Sequence, residues 1–192
     1  MKWLLLLISM SVSAQELPSV QGKFVQTRDT PGMDAPLKSD GKFLFAQATG
    51  LLWAIDDGST AMFIPAEGKT RMWRGDQWQT PNSPAMKYTQ QFIRAIAQQN
   101  QAELDKNFQQ KKLTGEDGAN VTRLSPRRSR IKRFISYIDV RRDTYLRSIR
   151  IQQQDGAALQ LDFLDQQPLA ALNADSCENV LNRSACQQVF SP

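Results

Sequence analysis

Few residues in this chain have side chains that commonly do chemistry. It contains no histidine, which removes the usual general base and the Ser–His and Cys–His arrangements of nucleophilic catalysis. Carboxylates remain as acid–base candidates, in the pairs Asp56–Asp57, Glu116–Asp117, and Asp162 with Asp165. Turn formation or the solvated end of a strand explains each pair better than catalysis does. An enzyme is therefore a minor alternative.

The N-terminus predicts export. Lys2 precedes an unbroken apolar run, Trp3–Ile8, and small residues at 12–14 lie where a signal peptidase cleaves. We expect residues 1–14 to be a signal peptide, cleaved between Ala14 and Gln15, and residues 15–192 to form one domain. The alternative is a membrane anchor, which would need about 20 apolar residues. The run is much shorter than that.

The two cysteines, Cys177 and Cys186, lie close together near the C-terminus. In an exported chain, such a pair predicts a disulfide that closes a short loop, with two free thiols as the alternative. A metal site needs more ligands than two sulfurs, and histidine is absent. We therefore expect no metal and no cofactor.

Short apolar segments, separated by turn residues, predict a meandering antiparallel sheet. Hairpin signals occur at Asp57-Gly58, Glu67-Gly68, Asp117-Gly118 and Asp155-Gly156, and residues 29–40 read as a loop. The predicted strands are 17–28, 41–47, 51–56, 60–66, 69–74, 111–115, 120–125, 133–141, 145–153 and 157–164.

A helical insertion divides these strands into two groups. Ser83 is a candidate N-cap, Pro84 suits the first helical position, and the stripe Ala85, Tyr88, Phe92, Ile93 and Ile96 has helical spacing. A weaker second helix reaches residue 110. Residues 125–130 are a loop or one helical turn, and 178–190 a short helix. The predicted fold is mainly β (α+β), a curled antiparallel sheet with helices over one mouth or face.

The strands in residues 40–56 are apolar on both faces. Phe43 and Phe45 alternate with Leu44 and Ala46, whereas a strand with one wet face would alternate apolar with polar residues. Either both faces pack on protein, or one lines an apolar cavity with the helices as a lid. The candidate cavity residues are Phe43, Phe45, Leu51, Trp53, Ile55, Met62, Ile64, Met72, Phe92 and Ile96.

Four segments, in order, resemble the LolA family of periplasmic carriers of outer-membrane lipoproteins. "VQGKFVQT" (20–27) is similar to the family's first strand and "DGKFLFAQATGLLW" (40–53) to its next two. "EGKTRMWR" (67–74) is similar to a hairpin that precedes the family's helical insertion, and "DGAALQLDF" (155–163) resembles its last strands. The resemblance covers most of the chain after residue 14 and is sharpest over 20–75.

The resemblance implies an unclosed β-barrel with a helical lid over an apolar cavity for acyl chains. A periplasmic monomer would then pass a lipoprotein or other lipid from an inner-membrane donor to an outer-membrane acceptor, without inserting stably into either membrane. The family's lid-latch arginine, followed by proline, is replaced by Gln47-Ala48. The cargo could therefore be either a lipoprotein or another lipid. A regulatory domain that senses a lipid or a lipoprotein is an alternative function.

Ten Lys or Arg residues lie between Arg123 and Arg150. The simplest interpretation is that these basic residues form a solvent-exposed face of two strands. An exported chain meets little nucleic acid, so docking to anionic lipid headgroups or to an acidic partner is the sharper interpretation. The candidate docking residues are Arg127, Arg128, Arg130, Lys132, Arg133, Arg141 and Arg142.

Overall fold

The computed structural model describes residues 18–56, 58–81, 84–115 and 118–190, with the backbone alone for 84–87. The predicted signal peptide, the N-cap Ser83 and the Glu116–Asp117 pair lie outside these ranges, as does Asp57.

Eleven strands form one antiparallel sheet in the spatial order β6-β5-β4-β3-β2-β1-β11-β10-β9-β8-β7. Over the described ranges, β6 and β7 are the two edges of the sheet and do not pair with each other. The sheet therefore does not close into a barrel. The predicted fold class is confirmed. The strands are β1 Val20–Asp29, β2 Leu37–Ala46, β3 Gly50–Ile55, β4 Thr60–Pro65, β5 Arg71–Arg74, β6 Gln77–Gln79, β7 Phe108–Thr114, β8 Asn120–Pro126, β9 Ile135–Arg142, β10 Leu146–Gln153 and β11 Ala158–Pro168.

Two helices, α1 Pro84–Ala97 and α2 Gln101–Asn107, connect β6 to β7. Because these strands are opposite edges of the sheet, the connecting helices have to cross one of its faces. Asn100 caps α2 by accepting a hydrogen bond from the Glu103 amide at 3.0 Å. We call α1 and α2 the lid, and the sheet face beneath them the inner face.

Three shorter helices complete the fold: α3 Ser129–Lys132, α4 Ala174–Cys177 and α5 Arg183–Phe190. Residues 125–130 were predicted as a loop or one helical turn, but the first two end β8 and α3 begins only at Ser129. Helix α4 was not expected. Cys177 and Cys186 form the predicted disulfide, which joins α4 to α5.

The strand boundaries depart from prediction where tertiary pairing overrides local sequence. Strand β2 begins at Leu37, inside the predicted loop, because residues 37–40, three of them polar, pair with β1. Strand β7 begins at Phe108, inside the predicted second helix, because the Phe108 ring is buried against Phe92 of α1, with the ring centroids 4.6 Å apart. Strand β6 was not predicted, and β11 extends four residues beyond the predicted end, to Pro168.

Candidate functional site

Strand pairing sorts the two-sided strands into two separate apolar layers. On β2, β3 and β4, one set of alternate residues lies on the inner face and packs with the lid helices. The other set belongs to a second cluster, on the outer face, together with the C-terminal helices. The outer set on these strands is Leu44, Ala46, Leu52, Ala54, Ala61 and Phe63, and Trp73 of β5 belongs to the same cluster.

The register aligns the predicted cavity residues in two rows across the inner face. One row is Phe45, Leu51 and Ile64, and the other is Phe43, Trp53, Met62 and Met72. Nine of the ten candidate cavity residues, all but Met72, belong to one apolar cluster with the lid. Met72 shares their face through its pairing with Met62. The structure therefore brings the candidate set together.

Helix α1 fills the space above these rows. The side chains of Phe92, Ile93 and Ile96 are almost completely buried there. The Phe92 ring packs edge-on against Phe108, and the Tyr88 ring stacks beside it at a centroid distance of 6.3 Å. The lid is thus attached to the sheet through apolar side chains that fill the space between α1 and the inner face.

A small cavity remains at one end of the inner face, where β2 and β11 end and β1 begins. Its volume is about 40 Å³, with Phe43, Phe45, Leu51 and Phe163 among its apolar walls. Ligand sites measure roughly 300–1,000 Å³, so this cavity is far too small for an acyl chain. A second cavity, of about 190 Å³, lies between the lid and strands β8 and β9, with Ile96, Leu104, Leu124, Val140 and Arg142 among its walls. In this conformation the protein's own side chains fill most of the space between the lid and the inner face.

Close packing requires a glycine at position 22, in the "VQGKF" segment. A Cβ there would lie 2.6 Å from the Leu164 carbonyl oxygen and 2.9 Å from Cε1 of Phe43. Its absence lets the Phe43 ring lie across β1 and pack edge-on against Phe163, at a centroid distance of 5.0 Å. The glycine therefore shapes the cavity wall.

Polar contacts hold the C-terminal end of α1. Nη2 of Arg142 donates to the Ile96 carbonyl at 2.8 Å, and Nη2 of Arg94 donates to the Gly68 carbonyl at 3.1 Å. Burial lowers the pKa of both guanidinium groups, yet arginine remains charged at any physiological pH. Nε of Arg94 is buried and has no hydrogen-bond partner among the described residues.

The corner that contains Gln47 lies beside the end of α1. Gln47 is exposed, and its backbone carbonyl accepts a hydrogen bond from Nε2 of Gln98 at 3.4 Å, one residue beyond α1. A latch function for the Gln47 side chain stays a prediction. Sequence reasoning did not anticipate that Arg142, on distant strand β9, contacts the lid, because the run of basic residues around it suggested an exposed position.

The outer face is covered by α4 and α5, which the disulfide joins. Nε1 of Trp78 donates to the Ala185 carbonyl at 2.9 Å, and the Phe63 and Phe190 rings pack edge-on at 5.2 Å. The second apolar face of these strands is therefore ordinary protein packing.

The candidate docking residues separate into two groups at opposite ends of β9. Arg127, Arg128, Arg130, Lys132 and Arg133 lie on or beside α3, next to Phe134, whose side chain is 40% exposed. Arg141 and Arg142 end β9, roughly 20 Å away at about 3.3 Å per residue. The guanidinium of Arg142 turns under the lid, so the α3 group forms the compact basic surface.

Two of the candidate carboxylates, Asp162 and Asp165, have structural partners. Asp165 forms an ion pair with Lys23 at 3.0 Å, and Asp162 accepts a hydrogen bond from Gln160 at 2.7 Å. Over the described ranges, no group of three or more potential ligand side chains (His, Cys, Asp or Glu) could hold a metal ion. None of the helices in that part of the chain is long and apolar enough to cross a membrane.

Residues 15–176 match the family described as "Outer membrane lipoprotein carrier protein LolA". The chain belongs to the LolA family. Curated protein sequences gave no significant match.

Three solved structures are distantly similar to this chain. A LolA superfamily protein from Nitrosomonas europaea is 9% identical, with a TM-score of 0.43, over 83% of this chain and 89% of that one. A DUF1329 family protein from Desulfovibrio piger is 10% identical, with a TM-score of 0.46 and coverages of 81% and 88%. A candidate outer membrane lipoprotein-sorting protein domain from Vibrio parahaemolyticus is 10% identical, with a TM-score of 0.45 and coverages of 86% and 91%.

Proposed function

We propose that this LolA family member is a periplasmic carrier. It binds the acyl chains of a lipoprotein or another lipid between its inner face and the lid, and passes them from an inner-membrane donor to an outer-membrane acceptor. The observation that carries the proposal is the continuous apolar surface of the inner face, held under two helices that connect opposite edges of an open sheet.

Binding under the lid requires the lid to move, because the cavities of about 40 and 190 Å³ along the inner face are smaller than a ligand site of roughly 300 Å³ or more. When α1 lifts, the rows on β2, β3 and β4 lose the cover provided by Phe92 and Ile96, and the acyl chain replaces it. The exchange substitutes one apolar contact for another. Its net free energy is therefore small, which suits a carrier that must also release its cargo.

Tryptophan fluorescence offers a direct test of the binding site. After removal of residues 1–14, the chain keeps Trp53 on the inner face and Trp73 and Trp78 on the outer face. A bromine-labelled fatty acid that binds under the lid should quench Trp53. In the matched Trp53→Phe variant, the quenching should disappear although the two other tryptophans remain.

Persistent quenching in Trp53→Phe would place the ligand away from the inner face and overturn the proposal. Native mass spectrometry of the gently purified protein should also reveal a reversibly bound acyl species. Transfer of that species between donor and acceptor vesicles distinguishes a carrier from a lipid-sensing domain, which would hold its ligand and change its affinity for a protein partner.

We also propose that the α3 surface docks on anionic membrane. Five cations there lie within seven residues of Phe134, which is 40% exposed and stacks on Tyr88 of α1 at a centroid distance of 6.2 Å. Nε of Arg127 and Nε of Arg128 donate to the backbone carbonyls of Phe108 and Lys106, whereas Arg130, Lys132 and Arg133 are exposed. Exposed cations beside an exposed aromatic ring suit anionic headgroups with an apolar layer beneath them. Phosphatidylglycerol in phosphatidylcholine vesicles should increase co-sedimentation, and added salt should reduce it.

Charge-matched variants test this docking. Replacing Arg130, Lys132 and Arg133 with glutamine should weaken vesicle binding by roughly fivefold per residue. A control variant loses the same charge elsewhere, at Lys38, Lys111 and Lys112, and should bind nearly as well as the wild type. Equal losses in both variants would show that net charge, rather than the α3 surface, governs binding.

A further inference from the structure

Arg142 is the charged residue in the lining of the small cavity. Its strand neighbours Ile138 and Val140 lie in the inner apolar cluster, and alternation along β9 places Arg142 on the same face. Arg142 is half-buried and also borders the cavity of about 190 Å³, whose lining is partly polar. It therefore places a permanent positive charge beside the apolar residues of the inner face, and burial lowers the pKa of its guanidinium.

This charge has no acidic partner among the described residues. Its hydrogen bond goes to the Ile96 carbonyl at the C-terminal end of α1, where the helix dipole favours a cation. The other cavity residues with polar groups are uncharged, and they are Thr144, Tyr145 and Gln166. The carbonyl of the lid helix is thus what compensates the guanidinium while the lid is closed.

Opening the lid removes this compensation. When α1 lifts to admit an acyl chain, Arg142 loses the Ile96 oxygen but stays beside the apolar walls, at the cavity end. A partly buried cation without a partner is costly. An oxygen anion at the end of the incoming chain would restore the compensation, because a guanidinium pairs with carboxylate or phosphate through two parallel hydrogen bonds.

We propose that Arg142 recognises the head group of the ligand, and that the cargo is an acyl amphiphile with an oxyanion head, a carboxylate or a phosphate. The inference rests on the proposed function, since it requires that acyl chains occupy the inner face. It narrows the cargo from lipids in general to anionic ones, and it makes the lid and the ligand competitors for the same guanidinium.

Three ligands with the same chain length separate head-group recognition from acyl binding: hexadecanoate, hexadecyl phosphate and uncharged hexadecanol. Displacement of an apolar dye gives each affinity. The wild type should bind both anions about tenfold more tightly than the alcohol, or better. Comparing the two anions tells whether carboxylate or phosphate is the preferred source of the oxyanion.

The ratio of anion to alcohol affinity is the diagnostic quantity for variants. Arg142→Gln also weakens lid closure, which shifts all three affinities together, but loss of head-group recognition should bring the ratio close to one. The control Arg150→Gln removes the same charge from an exposed position on β10 and should keep the wild-type ratio. A ratio retained in Arg142→Gln would overturn the inference.

A second measurement uses the wild type alone and does not depend on the folding of a variant. A carboxylate paired with Arg142 should titrate at a lower pKa than the same acid dissolved in water, as followed by NMR of bound hexadecanoate labelled with ¹³C at the carboxyl. A raised pKa, the effect of burial alone, would overturn the inference. Equal affinities for all three ligands would also overturn the head-group inference, but the proposal of a lipid carrier would stand. If none of the three ligands binds, both proposals are overturned.

Discussion

The lid hypothesis makes its sharpest prediction at Phe92. This side chain is 1% exposed and packs edge-on against Phe108. Replacing a buried phenylalanine with alanine costs about 3–5 kcal/mol. Phe92 is attached to the sheet only while the lid is closed, so most of that cost should fall on the closed state. The equilibrium between closed and open lid should then shift by roughly two to three orders of magnitude.

Phe92→Ala should therefore bind apolar ligands more tightly than the wild type, although it is the less stable protein. The binding-competent state becomes more populated, and apparent affinity rises with that population until the open state predominates. Dye displacement gives the affinity. Hydrogen exchange should show faster exchange for the α1 amides, with a much smaller change on β1 and β11.

The matched control is Phe63→Ala, on the outer face. Phe63 is 7% exposed and packs edge-on against Phe190, so its loss destabilises the fold through a similar contact. It should leave ligand affinity and α1 exchange unchanged. Tighter binding in both variants would point to general destabilisation, and weaker binding in Phe92→Ala would refute the argument that Phe92 acts mainly by holding the lid closed.

Three further predictions concern stability. Replacing Cys177 and Cys186 with alanine opens a loop with a sequence separation of 9 and should cost about 2–3 kcal/mol of unfolding free energy in urea titration; no change would mean that packing alone holds the C-terminal helices. Gly41→Ala would place a Cβ 2.0 Å from a carbonyl oxygen of the neighbouring strand. The unfolding free energy should therefore fall by about 1–3 kcal/mol, with a lower melting temperature. An unchanged melting temperature would contradict this close approach. Hydrogen bonds from Arg147 and a backbone amide lower the pKa of Asp143 from its ordinary 3.8, so its carboxylate stabilises the fold above that pH, and the effect is lost as the pH falls through the lowered pKa. Asp143→Asn should therefore be slightly less stable at neutral pH and equally stable in strong acid, whereas a difference that persists in acid would rule out this ionisation as the cause.

The inner face was largely readable from sequence because strand geometry is local. Side chains alternate with a period of two, and short turns set the register between neighbouring strands. The alternation and the turn between β2 and β3 are thus enough to assign Phe43, Phe45, Leu51 and Trp53 to one face. The helical stripe of α1 was readable for the same reason, since a period of 3.6 places Phe92 and Ile96 on one side.

Long-range partners were not readable. The C-terminal segment looked like a loop with a short helix, and its sequence does not say that Phe190 meets Phe63, 127 residues earlier in the chain. The basic stretch suggested a single exposed face, yet the length of β9 separates its two ends and turns Arg142 inward. Each outcome depends on the whole sheet, which brings distant segments together.

The sequence by itself determined a histidine-free, two-sided antiparallel sheet with a helical insertion, because composition, turn residues and periodicity are local properties. The tertiary structure decided which covering each apolar face receives: the lid on the inner face, and the disulfide-linked α4 and α5 on the outer one. It also decided that the lid is held by Arg142 on β9, because the insertion connects the two sheet edges and passes beside a strand that is distant along the chain.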